Sequence, residues 1–139
     1  MMSAKSASAE RREVNNPHMK EVLFVEIGSG CDGHGQNVTK AAARACRNAI
    51  EFNSIPSVSR LVPGGYNNLR LHVKIGTPHP EEVDVEKCRE IFPYGQAVIE
   101  VVQGGLSCGS GIAIDELGDV TDEMVVAIAA VTVGFGSIE

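Results

Sequence analysis

The chain has no tryptophan, only two tyrosines and four phenylalanines in 139 residues. With 43% hydrophobic and 22% charged residues, the composition is nevertheless that of a soluble globular protein. Basic residues are outnumbered, 12 Lys and Arg against 18 Asp and Glu, and the net charge of -6 lacks the basic footprint that nucleic acid or an anionic membrane requires. No apolar run approaches the roughly 18 residues of a membrane span. The cysteines Cys31, Cys46, Cys88 and Cys108 include no C-x-x-C pair, which removes zinc-ribbon and thioredoxin-type sites. With no secretory signal ahead of them, they are expected to be reduced thiols of an intracellular, cytoplasmic protein.

The length suits one domain with its own core. Residues 1–19 are small, polar and aperiodic, and are predicted to be a disordered extension ahead of a single α/β domain at 20–139. Their Ser and Arg content leaves organelle targeting open, while Glu10 and Glu13 count against a transit peptide.

The richest stretch runs from Glu21 to Asn53. Leu23, Val25 and Ile27 alternate with Val22, Phe24 and Glu26, so both sides are largely apolar and an inner strand is predicted, with Glu26 in need of a partner. Gly28, Ser29, Gly30, Cys31, Asp32 and Gly33 then read as a glycine-rich loop of G-x-G-x-x-G form. As a dinucleotide fingerprint it is poor, because the helix pattern starts only near the N-cap candidate Asn37 and the next strand waits until Leu69. Val38, Ala41, Ala42, Ala45, Ala49 and Phe52 fall at helical spacing. So much alanine on the buried stripe implies close approach to a sheet. Lys40, Arg44, Arg47 and Glu51 point away, with Arg47 and Glu51 one turn apart.

Residues 54–68 carry Pro56, Pro63, Gly64 and Gly65 and read as a long loop, of a length more often functional than idle. Leu69 to Gly76 alternates sharply, Leu71, Val73 and Ile75 against a stripe of Arg70, His72 and Lys74. Asp84 is placed to cap a short helix burying Val85, Cys88 and Ile91, with Val83 and Cys88 as its hydrophobic staple. Gln96 to Gln103 is a further inner strand whose exception is Glu100. Gly104 to Gly111, with Gly105, Ser107, Cys108 and Ser110, is a second glycine-rich loop able to offer backbone N–H groups to an anion. Ile112 to Ile114 reads as a short strand, and Met124 to Val133 as a long buried one.

The order β-α-β-α-β-β(short)-β gives an α/β fold, a two-layer sandwich with helices on one face of a mixed sheet. Two helices leave the other face bare, and a homo-oligomer, a trimer or higher multiple, is expected to cover it. Charges inside the strands would then meet at a subunit interface. The candidate catalytic residues are Glu26, Asp32, His34, Lys74, Glu100 and Ser110. The candidate ligand-binding residues are Gly28, Gly30, Gly33, His72, Gly104, Gly105 and Ser107.

VEIGSGCDGHGQNVTKAA, LHVKIGTPHP, the FPYG turn, VVQGGL and MVVAIAAVTVG, in that order, resemble a family of short uncharacterised conserved proteins of bacteria and some eukaryotes, over residues 20–136. A second resemblance is to one repeat unit of the cyanuric acid hydrolase and barbiturase group, with Lys74 in HVKIGTP and Ser110 in GSGIAI at the similar positions. It implies a trimer of α/β units whose lysines and serines meet near a threefold axis.

No cofactor is expected. A divalent metal such as Zn or Mn would draw on Asp32 and His34 with His72, Glu26 and Glu100, although no tight ligand spacing supports such a site. The expected function is that of an oligomeric small-molecule enzyme of hydrolase or isomerase type, acting at an interface site. The alternatives are a non-catalytic metabolite binder or a purely structural ion network.

Overall fold

The computed structural model of the protein describes residues 19–52 and 55–136. All but the last residue of the predicted extension at 1–19 lies outside that range, and Met19 is buried. The first strand, β1 (Glu21–Asp32), leads into α1 (Val38–Phe52), then a short helix α2 (Val58–Leu61) and a 3-10 turn at Gly65–Asn68. Next come β2 (Leu69–Thr77), a 3-10 turn at Pro80–Glu82, α3 (Val85–Arg89) and β3 (Gln96–Gln103). The chain ends with β4 (Leu106–Gly109), a 3-10 turn at Asp115–Leu117 and β5 (Glu123–Phe135).

The sheet is mixed, in the order β1-β5-β2-β3, with β4 added to β5 beyond the end of β2. The last strand enters antiparallel between β1 and β2, and β3 pairs parallel with β2. Thus β1 and β3, predicted as inner strands, are the edges of this path. Alternation reports which faces are apolar; it cannot report whether a strand has one neighbour or two. Two further expectations fail locally. The loop at 54–68 holds α2 and a 3-10 turn, and the short strand is β4, inside the supposed second glycine loop, rather than Ile112 to Ile114.

Close approach, inferred from the alanines, is what holds the layers together. Ala41, Ala42, Ala45 and Ala49 of α1 are fully buried, as are Ala127 and Ala129 of β5. Their counterparts on β1 are Gly28 and Gly30, across from Ala129 and Ala127. A Cβ on Gly28 would run into the backbone of Ala45 and Ala49, and one on Gly30 into that of Ala41 and Ala45. The helix therefore lies directly on the strand backbone. Asn37 caps α1 as expected, its Oδ1 accepting from Lys40 N at 3.0 Å, and Asp84 caps α3 by accepting from Glu86 N at 3.2 Å. Cys46 of α1 and Cys88 of α3 are buried beside each other, both free, and the hydrogen bond they share, with burial, pushes the Cys46 thiol up, away from thiolate. Among the described residues no helix is long and apolar enough to cross a membrane.

Candidate functional site

Cross-strand register fixes which side chains share a face. Glu26 lies in a row with Val131 and Val73, both fully buried under the helices. The neighbouring row is Ile27, Ala130, Lys74 and Glu100, on the bare face. Glu26 is thus on the opposite side of the sheet from Lys74 and Glu100, and the three do not gather. Lys74 Nζ and His72 Nε2 lie 3.8 and 3.5 Å from Glu100. Together they form an exposed ion cluster on β2 and β3.

The first glycine string is mostly strand. Gly28 and Gly30 are packing positions inside β1, and Gly33 alone lies past its end. Asp32 is buried, accepting from Asn37 N at 2.8 Å with Arg44 at 3.6 Å, so it organises the start of α1. His34 Nδ1 bonds Asp119 at 2.8 Å. Asp119 also accepts from Gly35 N, Gln36 Nε2 and Ile114 N, and these bonds, led by the Ile114 amide and His34, hold its carboxyl well below the usual range. Gln36 sits in a left-handed conformation, φ 51°. Its amide reaches the Thr121 and Glu123 carbonyls and accepts from Val120 N. This cluster ties the 33–37 loop to the 114–123 segment.

In the second glycine stretch, Gly104 donates its N–H to the Thr77 carbonyl at 3.2 Å and Gly105 takes a left-handed turn, φ 65°. Ser107 Oγ donates to Glu123, which also meets His79 Nε2 at 3.0 Å. The Glu123 bond raises the His79 pKa, while Ser107 and His79 lower that of Glu123. Here the carboxylate stands between hydroxyl and imidazole. A nucleophile relay needs the imidazole on the hydroxyl, so the trio is not one. Ser110 Oγ closes a local turn with Ile112. Its N–H bonds the carbonyl of Asp122, which stands just ahead of β5 and eight residues before Ala130, the partner of Lys74. That is roughly 26 Å at strand spacing, so within one chain Lys74 and Ser110 do not meet.

The metal set considered from the sequence is likewise dispersed, with Glu26 on one face, His72 and Glu100 on the other, and Asp32 and His34 at the strand end. Among the described residues His79, Glu81 and Glu82 do come together, their ligand atoms within 4.8 Å of one another on the surface.

What the fold builds around Glu26 is a pocket of about 280 Å³ on the helix side. Its floor is Phe24, Glu26, Leu71 and Val131; its walls include Ile50, Val58 and Phe92. At its mouth the Tyr66 and Tyr94 rings stack, centroids 4.5 Å apart. Glu26 is 8% exposed, no hydrogen bond or opposite charge among the described residues offsets its burial, and desolvation raises its pKa from 4.5 to about 7. Sequence reasoning named Glu26 but missed the wall. A signal was present: four of the chain's six Phe and Tyr residues line this one pocket, and three of them come from the long loop and the FPYG turn.

Fold and site together define a small one-sheet α/β module, helices on one face, with a pocket where the end of α1, α2 and the turn before β3 lean over the sheet. The chain belongs to the conserved hypothetical protein family Lin0512_fam, whose pattern it matches over residues 22–133. Among solved structures it is similar to the crystal structure of an FtsZ-like protein of unknown function from Nostoc punctiforme. Identity is 40%, the match covers 84% of this chain and 97% of that one, and the TM-score is 0.76. No curated protein matches the chain.

Proposed function

We propose that the protein is an oligomeric small-molecule-binding protein whose ligand occupies the Glu26 pocket. The observation that carries this reading is a buried carboxylate without a partner among the described residues, on the floor of an otherwise apolar cavity. An uncompensated buried carboxyl costs stability, and a concave apolar site with one placed polar group is the usual form of a ligand pocket. A reaction here would use Glu26 as a lone general acid or base. Among the described lining residues only the two tyrosines add another titratable group, so binding is better supported than turnover.

Fragment screening by amide chemical-shift mapping tests the pocket. Small aromatic fragments are expected to move the resonances of Glu26, Leu71 and Val131, and Val58→Trp, which places an indole at the wall, is expected to weaken those responses at least about tenfold. Fragments that perturb only other surfaces would end the reading.

The oligomeric part rests on the bare face. Val25 and Ile27 on β1, Val98 on β3 and Leu106 on β4 are 53%, 59%, 45% and 58% exposed there, large apolar side chains on a sheet face that no helix among the described residues covers. Its occupant is proposed to be a second copy of this chain. The charges on this face are of both signs, His72 and Lys74 beside Glu100, so a second copy of the same face can set opposite charges against them. Native mass spectrometry is expected to show an assembly at micromolar concentration, and Ile27→Lys to weaken it at least about a hundredfold while the subunit stays folded. A monomeric wild-type protein would rule this out.

A further inference from the structure

We propose that the ligand of the Glu26 pocket is a hydrophobic amine, an aromatic or branched aliphatic body carrying one basic nitrogen. This rests on the pocket reading above and adds its chemistry. Three features of the lining select the class. First, the one ionisable side chain on the floor is a carboxylate with no partner among the described residues, and no Lys, Arg or His among those residues lines the cavity. An anionic ligand would meet like charge with no donor to compensate, whereas an ammonium group supplies both the opposite charge and the missing hydrogen-bond donor. Second, the remaining walls are aliphatic and aromatic, with Phe24, Tyr66, Phe92 and Tyr94 contributing rings. Ring faces attract a cation that has left water, so these walls suit both the apolar body and the charged head. Third, a volume of about 280 Å³ holds roughly ten to fifteen non-hydrogen atoms, the size of a metabolite amine rather than of a nucleotide or a long lipid.

The stacked pair Tyr66 and Tyr94 is 41% and 57% exposed and Glu26 is 8% exposed, so the mouth is open to entry and the carboxylate is reached through it. Binding an amine leaves the proton balance simple. The ammonium form enters, the Glu26 carboxyl gives up its proton to solvent, and an ion pair remains. Tyr66 and Tyr94 are the other titratable groups facing the cavity among the described residues.

Three probes of one shape test the class: 2-phenylethylamine, 3-phenylpropanoate and 2-phenylethanol, titrated into the full-length protein and followed by chemical-shift mapping. The amine is expected to bind at least tenfold more tightly than the other two, with contacts at Glu26 and Val131, and its affinity to rise about tenfold from pH 6 to pH 8 as Glu26 ionises. Glu26→Gln, close to isosteric, is expected to lower that affinity about thirtyfold and to flatten the pH profile. If 3-phenylpropanoate or 2-phenylethanol fills the same pocket as tightly as the amine, the amine assignment is overturned while the pocket survives. If none of the three perturbs the lining, the assignment is also overturned, and the fragment screen then decides the pocket separately. Amine binding unchanged by Glu26→Gln would equally refute it.

Discussion

Gly28→Ala and Gly30→Ala are each expected to destabilise the protein by about 3–5 kcal/mol, and the valine substitutions to prevent folding. The new Cβ would collide with backbone atoms of Ala41, Ala45 or Ala49, not with the flexible end of a side chain. Backbone inside a helix cannot step aside locally, so α1 must rise off β1 along its length. That opens a gap beside Ala42, Ala45, Ala127 and Ala129, all fully buried, and close-packed interiors tolerate such gaps poorly. A loss of this size is a large share of the roughly 5–15 kcal/mol that holds a domain folded. The built-in control is Gly33→Ala, where a Cβ meets nothing within 4 Å; its expected cost is within about 0.5 kcal/mol. Urea unfolding followed by far-ultraviolet circular dichroism reads all three, since the chain has no tryptophan to report by fluorescence. A phosphate-cradling loop predicts the reverse pattern, stability kept and binding lost at every glycine. Wild-type stability in Gly28→Ala would sink the packing account.

The same glycines show where sequence reading stops. Alternation in 69–76 and 96–103 and the alanine spacing in 38–52 gave the strands, the helix and its closeness to a sheet, because these are local periodicities imposed by burial on one side. Gly28 and Gly30 read as a loop because a glycine needed for a turn and a glycine needed under a helix look alike in one dimension. What separates them is the distance to Ala45, a residue on another element. Glu26 and Lys74 are a second case. Each is visibly a charge within an apolar strand, yet whether they share a face depends on the pairing of β1 and β2 with β5, which brings Glu26 to Val131 and Lys74 to Ala130, far along the chain from both. The residues that wall the pocket escaped for a related reason. Tyr66 and Tyr94 are brought together by the fold alone, and each by itself reads as a loop residue.

Replacing Glu26 with leucine is expected to stabilise the protein above pH 7 and to change little near pH 4. Burial raises the Glu26 pKa from 4.5 to about 7, so between those values the unfolded chain releases its proton while the native protein keeps it. The native state then binds more protons, and by linkage its stability falls as pH rises. The favourable contribution is complete below about 4.5, declines through the interval and is lost above about 7. A shift of that size corresponds to about 3 kcal/mol at 1.4 kcal/mol per unit; solvent reaching the open pocket mouth reduces it to roughly 2 kcal/mol. Asp119 and Glu123, whose carboxyls are held low, impose the opposite slope in more acidic solution. They are common to both proteins and cancel in the difference. The quantity to measure is therefore the stability of Glu26→Leu minus that of wild type, by urea unfolding from pH 4 to pH 8.5. It is expected to grow by about 2 kcal/mol across the interval and then level off; a difference independent of pH would mean that Glu26 is solvated or paired. A side chain that lowers stability under neutral conditions, and that leucine would replace at a gain, contributes nothing as a structural group. Its place on the floor of an aromatic-walled pocket is then accounted for by what enters that pocket and pairs with it.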